Sequence, residues 1–90
     1  MDRAQYSIRY QAIKARVGQI GRSAGVNLQI SIDGGSIEII DGDHTVKIVG
    51  GAGADEVQIT HDEFMSDVEF ERWVVRKFEA AITRLRIETQ

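Results

Sequence analysis

The sequence predicts an α+β fold: a two-layer sandwich whose four-stranded antiparallel meander carries N- and C-terminal helices on one face, in the order α-β-β-β-β-α. Three observations carry that expectation. Apolar residues recur at helical spacing at both ends of the chain, they alternate in twos across its middle, and the alternating runs are separated by glycine-containing turn signals. Ninety residues make one domain, 1–90, with one modest core.

The first element is a helix over 2–22. Tyr6, Tyr10, Ile13, Val17 and Ile20 fall on one stripe, with Arg9, Lys14 and Arg16 off it. Gly18 and Gly21 weaken its last turn, and Ser23-Ala24-Gly25 supplies a stop. From residue 26 the period changes to two. Val26, Leu28, Ile30 and Ile32 alternate with polar residues, as do Ile37 and Ile39, Val46 and Ile48, and Val57 and Ile59. Asp33-Gly34-Gly35 and Asp41-Gly42 read as hairpin turns, because glycine accepts the positive φ that such turns need. The resulting sheet has one apolar face and one wet face bearing Asn27, Gln29, Glu38, Thr45, Lys47 and Gln58. Thr60-His61-Asp62-Glu63 is a capping box opening the last helix, predicted over 61–87. Its buried stripe is Phe64, Val68, Val75, Phe78, Ile82 and Leu85, with Val74 and Ala81 beside it.

A period of nine relates Leu28, Ile37 and Val46, and also Ile30, Ile39, Ile48 and Val57. Strands of seven residues joined by two-residue turns give that period, and so do the rungs of a parallel β-roll. The window Gly50 to Gln58 fits G-G-x-G-x-D-x-U-x and resembles the calcium-binding nonapeptide of RTX proteins. The resemblance implies a tight glycine turn and Ca²⁺ held by Asp55 with backbone carbonyls. It covers one repeat, and the Asp-Gly turns favour the meander.

Several function classes are excluded by composition. Cysteine is absent, which removes disulfides, thiolate metal sites and a cysteine nucleophile. No apolar run approaches the ~18 residues of a membrane span, and no secretory stretch opens the chain, so a cytoplasmic protein is expected. The glycine run is no nucleotide loop, because a strand and not a helix follows it, and no cofactor is expected.

Charge is segregated beneath a formal net charge of −3. Residues 1–22 are basic, residues 23–71 hold Lys47 as their single Lys or Arg among many carboxylates, and residues 72–90 are basic again. Internal complementarity between basic helices and an acidic sheet accounts for this. Two functional readings stand beside it. The acidic surface, with Asp41, Asp43, Asp55, Glu56, Asp62 and Glu63, suits a protein partner with a basic surface. Arg3, Arg9, Arg16 and Arg22 are the contacts a nucleic acid would use, although the acidic pI of about 5.3 argues against that class.

Two further constellations carry chemistry. A third hairpin closing on Gly51 to Ala54 would set Ile48 against Val57, Val46 against Ile59 and His44 against His61. Two imidazoles with carboxylates nearby are the donor set of a Zn²⁺-like site. On the last helix, at ~100° per residue, Trp73 lies roughly 150° from the buried stripe. Lys77, Ala80 and Arg84 share its sector, with Phe70 between, a composition typical of interface hot spots.

No motif joins His44, His61 or a serine hydroxyl into a catalytic constellation, so an enzyme is not expected. The expected function is a non-catalytic protein–protein interaction module, a small acidic adaptor or inhibitor-type protein that self-associates. Phage- and mobile-element-encoded inhibitors offer an analogy of size and charge. The alternatives are a nucleic-acid accessory protein using the basic first helix and a metal-binding domain using His44 and His61.

Overall fold

The computed structural model describes residues 2–35, 42–51 and 53–88. α1 spans Arg3–Ser23, and its start is fixed locally. The Asp2 carboxylate accepts from the Gln5 amide at 2.8 Å while the Gln5 side chain accepts from the Asp2 amide, satisfying donors that the first turn leaves free. The stripe behaves as its spacing requires: Tyr6, Ile13, Val17 and Ile20 are buried and Tyr10 packs against them. Gly21 has a packing role besides. A Cβ there would lie 2.7 Å from Leu28 Cδ1, so glycine is what lets the 26–28 segment cross the end of the helix.

Three strands follow among the described residues: β1 Gln29–Ile32, β2 His44–Gly50 and β3 Gly53–Ile59, antiparallel in the order β1-β2-β3. Antiparallel pairing throughout excludes parallel rungs, and with them the β-roll. Asp55, the residue that the resemblance would give to calcium, accepts from Arg84. The expected second strand around Ile37 and Ile39, and Asp41, lie outside the described residues. Asp33–Gly35 is a 3₁₀ turn with positive φ at all three residues, and the strand it was expected to lead into lies outside the described residues. Ile32, Val46, Ile48, Val57 and Ile59 line the buried face and Ile30 packs beside them, while Gln29, Lys47, Glu56 and Gln58 are wet.

The β2–β3 register differs from the sequence expectation. The turn is tighter, with Gly50 opposite Gly53, so Val46 pairs with Val57, Ile48 with Asp55 and His44 with Ile59. A slip of two residues keeps every side chain on its own face, which is why the alternation could not detect it.

The last helix is not continuous. α2 His61–Met65 opens on the Thr60–Glu63 capping box, and Ser66 is then extended (φ −125°, ψ 122°). Ser66 caps the next turn, α3 Asp67–Glu69, by accepting from the Glu69 amide. A widened π-type turn, Phe70–Val74, leads into α4, Val75–Glu88. The break and the wide turn change the helical phase, which corrects two expectations. Val68 is 64% exposed and leaves the buried stripe, whereas Phe70 is 3% exposed and joins the core against Phe78. Beyond residue 74 the predicted stripe holds, with Val75, Phe78, Ile82 and Leu85 buried and Val74 and Ala81 beside them.

Both helical regions cover the same sheet face, and basic side chains of α1 tie them together. The Arg9 Nε donates to the Phe64 carbonyl at 2.7 Å, an acceptor freed by the break at Ser66, and Nη1 reaches Asp67. Arg16 binds Glu71 through two nitrogens, at 2.6 and 3.1 Å.

The pairs Arg16–Glu71 and Arg84–Asp55 contribute to the acid limb of stability. Hydrogen bonding from Arg16 lowers the Glu71 pKa, and hydrogen bonding from Arg84 lowers that of Asp55. A lowered folded-state pKa gives stability that is present above the ordinary carboxylate range and lost as pH falls through it. Both pairs are solvated, so each contributes at most about 0.2–1 kcal/mol. At the other limb, burial first and the hydrogen bond to Asp33 second raise the Tyr6 phenol far above its ordinary value. A raised pKa gives stability that is full below about pH 10, the unfolded value, and lost above it. Urea titrations across pH should show a shallow acid decline and a steeper alkaline one, with Tyr6→Phe flattening only the alkaline limb.

Candidate functional site

Two places concentrate the side chains singled out in the sequence. The first lies where the 3₁₀ turn, the start of β2 and the start of α2 meet under α1. His44, the first residue of β2, is 0% exposed. Its Nδ1 lies 2.7 Å from Asp33 Oδ2, and the Asp33 side chain is itself 2% exposed. The same carboxylate accepts from the Tyr6 hydroxyl at 3.0 Å and from the Thr45 amide at 3.0 Å. His44 Nε2 lies 3.3 Å from His61 Nδ1. Phe64 stacks on the His44 ring at 4.0 Å between centroids, and Tyr6 tilts against it.

The tautomers follow from this arrangement. An acceptor-only carboxylate makes Nδ1 of His44 a donor, so in the neutral ring Nε2 accepts from the Nδ1–H of His61. Every polar atom of Asp33 and His44 is then occupied. Asp33 is also the one described non-glycine residue with positive φ, 54°. Aspartate tolerates this conformation better than most residues, and the surrounding bonds hold it there. The cluster is a latch joining four segments, the start of α1, the 3₁₀ turn, the start of β2 and α2.

The sequence expectation that His44 and His61 meet is fulfilled, but by a different route. His44 faces Ile59 across the sheet, and the chain turns at Thr60 to bring His61 back. Among the described residues no group of three or more His, Asp or Glu is arranged to hold a metal ion. Asp33 and Tyr6 were not legible as site residues. Their hydrogen bonds span sequence separations of 11 and 27, which no local pattern reports.

The second place is the outer side of the π-type turn and α4. Trp73 is 55% exposed, and its indole N–H donates to Glu69 at 2.9 Å. Lys77, Ala80 and Arg84 continue its stripe and line a groove with Glu56, Val57 and Gln58 of β3. Phe70 is not part of this face, for it lies in the core. Arg84 and Asp55, assigned in the sequence to separate surfaces, bind each other, with Arg84 Nε 3.1 Å from Asp55 Oδ2.

The remaining assignments divide. Asp43, Glu56 and Asp62 are exposed, whereas Glu63 is engaged in the capping box with Thr60. Arg9 and Arg16 bind α2, α3 and the π-type turn as described, and Arg3 and Arg22 are exposed. No helix among the described residues is long and apolar enough to cross a membrane. Comparison with known proteins finds no matching family model, no matching curated protein and no matching solved structure.

Proposed function

We propose that this chain is a non-catalytic protein–protein interaction module that self-associates through the outer stripe of the π-type turn and α4. The exposed Trp73 carries this reading. An indole is the largest apolar side chain, and Trp, Tyr and Arg are the residues enriched among interface hot spots. The bond to Glu69 fixes its orientation before any partner arrives, which lowers the entropy cost of binding.

Two other observations support the same choice. The histidine cluster is spent on internal bonds, which favours a structural role for it over catalysis or metal binding. Arg9 and Arg16 are spent on intramolecular carboxylates, which weakens the nucleic-acid alternative. The solvated carboxylates Asp43, Glu56 and Asp62 keep open an adaptor role toward a partner with a basic surface.

Sedimentation equilibrium over a wide concentration range tests the proposal. The wild-type chain should pass from monomer to dimer mass. Trp73→Ala should weaken the association by roughly thirtyfold, the effect of losing a hot-spot residue. A single monomer mass at every concentration removes the reading.

A further inference from the structure

We infer that the contact between His44 and His61 is a proton-operated catch. It holds while the two imidazoles carry at most one added proton between them, and a second proton turns the His61 side chain out into solvent. The inference is independent of the self-association reading.

The count follows from the nitrogens. His44 Nε2 and His61 Nδ1 face each other at 3.3 Å and share one hydrogen. Asp33 fixes a hydrogen on the other His44 nitrogen, Nδ1. With both rings neutral, His61 donates through Nδ1 and its Nε2 is bare. A first proton leaves the contact whole. It adds to His61 Nε2, or it takes His44 Nε2 while His61 moves its own hydrogen to Nε2 and accepts through Nδ1. A second proton puts an N–H on all four nitrogens. Two hydrogens then meet in the 3.3 Å gap, no lone pair is left to accept, and two like charges stand in stacked rings.

Each element packed on the pair brings its own titratable or charged groups. α1 brings Tyr6, whose ring tilts on His44 and whose hydroxyl donates to Asp33, with Tyr10 behind it. It also brings Arg9, which is spent on the Phe64 carbonyl and Asp67. The 3₁₀ turn brings Asp33. Asp43 precedes His44, and Asp62 and Glu63 follow His61, with Glu63 held in the capping box. Of these carboxylates, Asp33 is the one bonded to an imidazole, and it offsets one positive charge and not two.

The two rings are held unequally, which decides the one that moves. His44 is 0% exposed, bonded to Asp33 and stacked on Phe64. His61 is half-buried at the first position of α2, and His44 is its one side-chain hydrogen-bond partner among the described residues. The backbone beneath it is fixed separately, by the two capping bonds of Thr60 and Glu63 and by the buried Phe64. Release is therefore a side-chain rotation within an intact fold. It opens a path for water to His44 Nε2 and sets a positive ring beside the exposed carboxylate of Asp62, so acid changes the charge of this end of the molecule without unfolding it.

Imidazole nitrogen NMR on the full chain tests the catch from about pH 8 down to about pH 5, above the ordinary carboxylate range. The scalar coupling across the His44 Nε2–His61 Nδ1 hydrogen bond should be present at the upper end and persist through the first protonation. It should vanish with the second, while the backbone amides keep their folded dispersion. His61→Asn supplies the comparison, because asparagine places an amide where Nδ1 stands, and that amide donates or accepts as His44 requires. At the acid end, the His44 Nδ1–H should exchange with water roughly tenfold more slowly in the Asn variant than in the wild type. A coupling that survives double protonation overturns the inference, as does one that is absent at the upper end or lost with the first proton. A pair that takes no second proton over the range overturns it too. So does an Asn variant that exchanges as fast as the wild type, or a coupling lost only together with the folded dispersion.

Discussion

Asp33→Ala should destabilise the protein by about 3–5 kcal/mol, the range found when one partner of a buried charged network is removed. The carboxylate serves three donors at once, from Tyr6, His44 and the Thr45 amide. Without it, three buried donors lose their acceptor inside a region that excludes water, and each unsatisfied group costs about 1–3 kcal/mol before relaxation. Alanine also fits the positive φ poorly. Asp33→Asn separates the two effects, because asparagine accepts that φ but presents an amide NH₂ toward groups that are themselves donors. Urea denaturation should find the Asn variant nearly as unstable as the Ala variant. An Asn variant within about 1 kcal/mol of wild type would mean that backbone conformation, and not the hydrogen bonds, is what Asp33 contributes. A domain of this size holds only roughly 5–13 kcal/mol in total, so the expected loss is a large share of it.

Phe64→Ala should cost a comparable amount, about 3–5 kcal/mol, for a different reason. Phe64 is fully buried and touches both rings of the latch, His44 at 4.0 Å and Tyr6 at 5.4 Å between centroids. Truncation removes apolar contact and leaves a cavity beneath the His44 ring. The backbone bond from Arg9 to the Phe64 carbonyl does not depend on the ring, so α1 keeps its hold on α2. Phe64→Leu refills much of the volume and should lose clearly less than the alanine variant. Equal losses in the two would point to the aromatic stacking on His44 as the dominant contribution.

What the sequence disclosed depended on the range of each interaction. The stripe of α1 and the alternation of the strands were legible because periodicity reports the side a residue faces. Thr60 and Glu63 were legible because a capping box is complete within four residues. The sequence also held an unread signal: Ser66-Asp67-Val68-Glu69 repeats the capping pattern and marks the break that turns Val68 outward and Phe70 inward. The β2–β3 register was beyond reach, because a slip of two residues leaves the pattern of faces unchanged. Asp33 reads as an ordinary turn residue beside two glycines. Its burial, its positive φ and its three donors are set by α1 and β2, which arrive from elsewhere in the chain.

The latch under α1 ties the 3₁₀ turn, the start of β2 and the first turn of α2 together, while Trp73 is held by its bond to Glu69. The functional claim therefore rests on a single indole, and Trp73 is the only tryptophan in the chain. Its emission maximum, followed from dilute to concentrated protein, tests that claim most directly. Self-association through this indole requires emission typical of a wet indole in dilute solution that shifts to the blue as concentration rises, with the midpoint at the dissociation constant found by sedimentation. Emission that stays at the wet position over the whole range, or that is already blue in the dilute monomer, would contradict it.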